Sequence, residues 1–206
     1  MSNVAVIGLG IGIMGLPMAV NLVKAGHTVT GFNRSPGRRD ALVTAGGHGA
    51  SSVAEATRGA DIVITMVPDS PDVEGVVSGP DGVFTNAAPG TLWIDTSTIR
   101  PDVAKRLAED AVAAELRALD APASGGEQGA IDGVLSIMVG GDPADFEAAQ
   151  DVLGAVGKTI VRVGPSGSGQ TVKPANQLIV AAVNQGDGAL DHSGLFKQDL
   201  QLSGRS

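Results

Sequence analysis

The chain has 206 residues, 43% of them hydrophobic and only 2% aromatic, and carries a formal net charge of −8. That length suits one large domain, or one domain with an appendage, and the apolar share excludes a disordered chain. The acidic balance excludes a nucleic-acid surface, which needs clustered Lys and Arg, and the lack of Cys excludes disulfides, a thiolate nucleophile and Cys-bound metal. His27, His48 and His192 are scattered without ligand spacing, so no metal site is expected. The longest apolar runs, Ile62–Val67 and Leu178–Val183, fall far short of the ~20 residues that span a bilayer. No membrane partner is therefore expected, and with no signal-peptide pattern after Met1 the expected setting is cytoplasmic. With so few aromatics the core must be Val, Ile, Leu and Ala, which suits a parallel sheet buried on both faces.

The β-branched run Val4–Leu9 reads as a strand leading into a glycine turn and then a helix from Leu16 to about Ala25. Gly10, Gly12 and Gly15 satisfy G-x-G-x-x-G, with Ile13 and Met14 inside the turn. The first glycine permits the tight turn, the second lets backbone approach phosphate oxygen, and the third lets helix pack on strand. Strand, turn and helix N-terminus together make a seat for a dinucleotide pyrophosphate. Gly26 ends the helix, and Thr28–Phe32 is a second strand that completes a βαβ unit. At its end, where NAD-binding folds place Asp or Glu against the ribose 2′-hydroxyl, stand Asn33, Arg34 and Ser35. A guanidinium pairs bidentately with a 2′-phosphate that a carboxylate would repel, so NADP is the expected cofactor, with NAD the alternative. Arg38 and Arg39 either assist or form a solvated helix start, the second being preferred for Arg39.

Short helices are predicted over Ala41–Ala45 and Ser52–Thr57, the latter with Ser52 and Glu55 as a capping box. Ile62–Val67 is the next buried strand, and its end puts Val67 and Pro68 at the carboxyl edge of the sheet, ahead of a short helix Asp72–Val77. Strand Leu92–Asp95 leads through Thr96-Ser97-Thr98 into helix Pro101–Glu115; the hydroxyls suit either ligand oxygens or a helix cap. Ala118–Ala121 is a short strand, and the following Ser124-Gly125-Gly126 exposes backbone N–H groups that suit a carboxylate. Strand Ser136–Val139, helix Pro143–Leu153 behind the N-cap Asp142, and strand Thr159–Val163 follow. A glycine-rich stretch from Gly164 to Gln170 then precedes a helix through Lys173, Asn176 and Ile179 toward Leu190, beyond which the pattern decays. The organisation predicted is a doubly wound, Rossmann-type α/β domain over residues 1–164, and over 165–206 the start of an inter-domain helix with an irregular tail.

Four motifs carry a resemblance: Met14-Gly15-Leu16-Pro17-Met18-Ala19 with Asn21-Leu22; Asp95-Thr96-Ser97-Thr98-Ile99-Arg100-Pro101; Asp120-Ala121-Pro122-Ala123-Ser124-Gly125-Gly126 running on to Ile137-Met138-Val139-Gly140-Gly141; and Gly167-Ser168-Gly169-Gln170-Thr171-Val172-Lys173-Pro174-Ala175-Asn176-Gln177. In that order and spacing the chain resembles the β-hydroxyacid dehydrogenases, the group of 3-hydroxyisobutyrate dehydrogenase and 2-hydroxy-3-oxopropionate (tartronate semialdehyde) reductase, the last most of all. The resemblance implies an NAD(P)-dependent reductase of a small 3-oxo acid. It implies Lys173 as the catalytic lysine with Asn176 beside it, Ser124, Gly125 and Gly126 on the substrate carboxylate, and Val67, Pro68, Asp72 and Thr98 along the cofactor. In the reducing direction hydride reaches the aldehyde carbon and Lys173 protonates the forming alkoxide.

Two features depart from the family. The turn reads Gly8-Leu9-Gly10-Ile11-Gly12-Ile13-Met14-Gly15, as if Gly-Ile were written twice, which a strand two residues longer would absorb. The family's helical second domain is also expected to be truncated or absent, with Lys197–Leu202 resembling a remnant and Gln198 in a lysine's place. A homo-oligomer formed through the apolar Leu178–Val183 face of the C-terminal helix is then the macromolecular partner expected. The alternatives to a reductase are a dinucleotide-binding module without useful catalysis and a partner-dependent subunit.

Overall fold

The structure is a computed structural model that describes residues 1–9 and 13–172. The chain divides into two compact units, Met1–Gln170 and Thr171–Ser206. The helix expected toward Leu190, any remnant of a helical domain and the tail lie outside the described residues.

The first unit is a sheet covered by helices on both faces. In chain order its elements are β1 (Asn3–Ile7), α1 (Gly15–Lys24), β2 (Thr28–Phe32), α2 (Pro36–Thr44), β3 (His48–Ala50), α3 (Val53–Thr57), β4 (Ile62–Thr65) and α4 (Ser70–Val77). There follow α5 (Val83–Asn86), β5 (Leu92–Asp95), α6 (Pro101–Ala113), β6 (Arg117–Asp120), β7 (Ala123–Ser124), α7 (Gly126–Asp132), β8 (Leu135–Gly141), α8 (Pro143–Gly154) and β9 (Gly157–Gly164). The strand order is β3-β2-β1-β4-β5-β6-β8-β7, with β9 on β8. β3 through β6 run parallel, whereas β8 lies antiparallel to β6 and β7 and carries β9 parallel to itself. The sheet is thus mostly, not wholly, parallel: the turn at Gly133 sends β8 back along β6, and β9 follows β8.

Strands buried on both faces split their side chains between two cores, because successive residues point to opposite sides. Val4 and Val6 join Met18 and Leu22 of α1, Leu42 of α2 and Val152 of α8. Ala5 and Ile7 join Val73 of α4, Trp93 and Leu107 of α6 on the other face. Trp93 meets Phe84 edge to face, with ring centroids 5.1 Å apart.

Several local expectations are realised by specific bonds. The Ser52 hydroxyl accepts from the Glu55 N–H at 3.0 Å, and the Glu55 carboxylate reaches back to Ser51 rather than to Ser52. Asp142 caps α8, accepting from the Ala144 N–H at 2.8 Å. Others are corrected. α2 begins at Pro36 rather than Ala41, because proline is preset for a helix's first position. β3 was not foreseen, since His48-Gly49-Ala50 has no strand preference of its own; pairing with Thr30–Phe32 makes it a strand.

Candidate functional site

The chain runs outward from β1 through β2 to β3, then returns to the other side of β1 as β4. Ligands of open α/β sheets bind at such a reversal, outside the carboxyl ends of the strands. β1 stops at Ile7, not at Leu9, and the expected strand extension does not occur. Gly8 turns the chain there with φ +103°, its N–H donating to the Phe32 carbonyl at 3.0 Å. A Cβ on Gly8 would collide with the Met66 carbonyl oxygen, and one on Gly15 with the Gly8 carbonyl. Gly8 therefore takes the tight-turn place and Gly15, first residue of α1, the helix-packing place of the fingerprint. Six residues separate them, two more than lie between the outer glycines of G-x-G-x-x-G. Gly10 and Gly12 lie outside the described residues; Ile13 is exposed and Met14, the N-cap of α1, half-buried.

β2 delivers Asn33, Arg34 and Ser35 to the same edge. Asn33 is buried, and its amide nitrogen donates to the Ser35 hydroxyl at 2.7 Å and to its carbonyl at 3.1 Å. Its Oδ1 is buried without a hydrogen-bond partner, an acceptor awaiting a donor. Arg34 is exposed and stands 3.9 Å from the Asp72 carboxylate on α4. Ile7, Gly8, Asn33, Arg34, Val67 and Asp72 line one cleft. Arg39 takes no part: its guanidinium donates to the Ala50 carbonyl at 2.8 Å and fastens β3.

At the ends of β4 and β5 the Val67 N–H donates to the Ser97 hydroxyl at 3.0 Å, leaving Val67 buried and Pro68 exposed. Thr98 is exposed between buried Ser97 and Ile99. Beneath them the Trp93 indole donates to the Thr65 hydroxyl at 3.1 Å, which donates to Asp95 Oδ1 at 2.7 Å. Asp95 also accepts from the Ser97 N–H at 3.2 Å, while its Oδ2 is buried without a partner. Burial raises the Asp95 carboxyl to about 6, against the lowering effect of the Ser97 and Thr65 hydrogen bonds. Asp120 is its register partner on β6, buried and also raised by desolvation. It accepts from the Gly167 N–H at 2.6 Å and the Gln170 N–H at 3.1 Å. The Gln170 carboxamide in turn donates to the Ser97 carbonyl at 2.8 Å and accepts from the Ile99 N–H at 3.1 Å.

β7 carries Ser124 to the start of α7, where exposed Gly125 and Gly126 adopt φ +141° and +64°. The Asn21 amide of α1 donates to the Ala130 and Ile131 carbonyls at 2.8 and 3.2 Å, joining α1 to α7. Lys173 and Asn176 lie outside the described residues. Sequence reasoning missed Gly8, whose signal was its place directly after the strand, masked by the doubled Gly-Ile. Asp120 and Gln170 stand within the motifs above, but nothing in their residue type or spacing signals the hydrogen bonds they make. Among the described residues no three His, Asp or Glu side chains are grouped to share a metal, and no helix is long and apolar enough to cross a membrane.

A glycine turn at the β1/β4 reversal, a polar second-strand end and a cleft between them define a dinucleotide-binding α/β domain of the Rossmann type. Residues 3–164 match the family described as the NAD binding domain of 6-phosphogluconate dehydrogenase, and the chain belongs to that family. It is 43% identical over 183 residues to the NAD-dependent L-serine dehydrogenase of Pseudomonas aeruginosa, covering 89% of this chain and 61% of that one. It is 44% identical over 173 residues to 2-hydroxy-3-oxopropionate reductase of Escherichia coli, covering 84% and 59%. The solved 3-hydroxyisobutyrate dehydrogenase of Mycobacterium tuberculosis, with L-serine, superposes with a TM-score of 0.81 at 34% identity, covering 100% of this chain and 72% of that one. The resemblance to hydroxyacid dehydrogenases is therefore real. The chain spans about three fifths of the length of the curated relatives it matches, 61% and 59% for the two above.

Proposed function

We propose that this chain binds NADP at the β1/β4 reversal and reduces a small 3-oxo acid, 2-hydroxy-3-oxopropionate to glycerate being the foremost candidate. The observation that carries the reading is the cleft in which Gly8, Asn33, Arg34, Val67 and Asp72 converge. Its residues fit the group. The unpartnered Oδ1 of Asn33 suits a ribose hydroxyl, which donates. The Arg34 guanidinium, exposed beside it, suits a 2′-phosphate. When bound, the nicotinamide supplies the hydride.

The remaining work falls to the chain. Ser124, Gly125 and Gly126 hold the substrate carboxylate, a role supported by two successive glycines with positive φ in an exposed turn. Lys173 donates the proton to the forming alkoxide and, as an ammonium, stabilises it; Asn176 orients the same oxygen. Pro68 and Thr98 line the cofactor beside Val67, and the phosphate turn includes Gly10, Gly12, Ile13, Met14 and Gly15. The proposed division of labour gives residues 1–164 to the cofactor and 165–206 to the catalytic helix, in a cytosolic protein.

A second cofactor reading has its own support: the Asp72 carboxylate faces Arg34 and already offsets its charge, and the serine dehydrogenase relative is named as NAD-dependent. The test is oxidation of NADPH or NADH by the whole chain with tartronate semialdehyde, 3-hydroxyisobutyrate being the reverse substrate to compare. Lys173→Ala is expected to lower turnover about 10²–10⁴-fold, the usual worth of a general acid. Turnover equal in wild type and Lys173→Ala removes the catalytic reading and leaves a binding module.

A further inference from the structure

We infer that Gln170 is a positioning residue for the nicotinamide half of the dinucleotide, with Asp120 holding it in place. The inference rests on the dinucleotide reading above. Its carboxamide grips the backbone on both sides of Thr98, donating to the Ser97 carbonyl at 2.8 Å and accepting from the Ile99 N–H at 3.1 Å. A carboxamide that satisfies a donor and an acceptor two residues apart fixes the peptide planes between them, and so sets the direction in which the intervening side chain leaves the loop. Thr98 is exposed while Ser97, Ile99 and Gln170 are buried, so the grip lies beneath an exposed residue that the reading above assigns to the cofactor.

Gln170 is itself held. Asp120 Oδ2 accepts from its N–H at 3.1 Å, and Oδ1 accepts from Gly167 at 2.6 Å, so both carboxylate oxygens fix the segment from which the amide reaches. A Cβ on Gly169 would meet the Met138 carbonyl oxygen, so the segment packs against the sheet with no room for a side chain there. The chain links three sequence-distant pieces, β6, the glycine-rich stretch after β9 and the loop after β5, at one point of the carboxyl edge.

The half of the ligand concerned follows from topology. In a doubly wound fold the end of the second strand recognises the adenosine ribose, so β1 and β2 hold the adenosine half and the strands beyond the reversal hold the other. Thr98 follows β5, on the far side of that reversal. Gln170 therefore bears on the nicotinamide half and leaves adenosine recognition at Asn33 and Arg34 alone.

The experiment is a calorimetric comparison on the whole chain of NADPH with its adenosine half, 2′,5′-ADP, or of NADH with ADP should the wild type prefer NAD. Gln170→Met keeps length and removes both hydrogen-bonding groups. It is expected to weaken the dinucleotide about tenfold, the loss of one well-placed polar contact, and to leave the adenosine half within about twofold. If Gln170→Met fails to fold, judged by the emission of buried Trp93, Asp120→Asn reads the same contrast with a smaller loss. Equal weakening of both ligands, or of neither, overturns the inference. A wild-type chain that binds neither ligand overturns the dinucleotide reading itself, and this inference with it.

Discussion

At the scale of single residues, the carboxyl edge concentrates polar atoms that the fold alone leaves unsatisfied. Asp95 is the clearest. Its carboxyl is raised to about 6 by burial, above the ordinary unfolded value near 4. The folded state thus holds a proton that the unfolded state releases, so stability is full below about pH 4 and declines as pH rises through about 6. Asp120, raised by burial in the same direction, adds to the decline. Asp95→Asn keeps an acceptor for Thr65 and Ser97 without the charge. Urea unfolding at pH 4.5 and pH 8 is expected to show the wild type losing roughly 2 kcal/mol across that interval through Asp95, and the variant distinctly less. A variant with the full wild-type slope contradicts this assignment. Arg34 gives the second residue-scale prediction. Arg34→Ala is expected to weaken NADPH about tenfold or more and NADH hardly at all, one charge-assisted hydrogen bond being worth more than 1.4 kcal/mol.

At the scale of elements, the lesson is how a local repeat hides a turn. Periodicity identified β4, β5, α6 and α8 closely because Ile62–Thr65 and Leu92–Asp95 are continuous apolar runs and Pro101 and Pro143 mark helix starts. The turn at Gly8 is hidden because Gly10, Gly12 and Gly15 already satisfy the fingerprint as written, whereas among the described residues of this stretch Gly8 and Gly15 make close backbone approaches. The close approach at Gly8 depends on the Met66 carbonyl after the neighbouring strand, which no local pattern contains. α7 was missed for a related reason: Gly126 and Gly129 argue against a helix, and the contact from Asn21 of α1 supports it. Deleting Gly10 and Ile11 restores four residues between the two close-approach glycines. That variant is expected to bind dinucleotide several-fold more tightly, as a turn of the fingerprint's own length aims its backbone N–H groups at phosphate. Weaker binding by a folded deletion variant contradicts the placement of the turn at Gly8.

At the scale of the whole molecule, the sheet of the first unit sets β1 and β2 on one side of the reversal and β4 to β6 on the other. The fold class was legible because a parallel sheet buried on both faces needs aliphatic runs and leaves little use for aromatics. The reversal of β8 and β9 was not legible, since nothing in Leu135–Gly141 records which way its neighbour runs. Cofactor recognition is proposed for residues within the first unit and proton transfer for Lys173, so each can be tested without the other. The measurement that bears most directly on the first is calorimetric titration of the whole chain with NADPH and, separately, NADH. The account predicts one site per chain, with NADPH bound about tenfold more tightly through Arg34. Heats indistinguishable from dilution for both dinucleotides would contradict it.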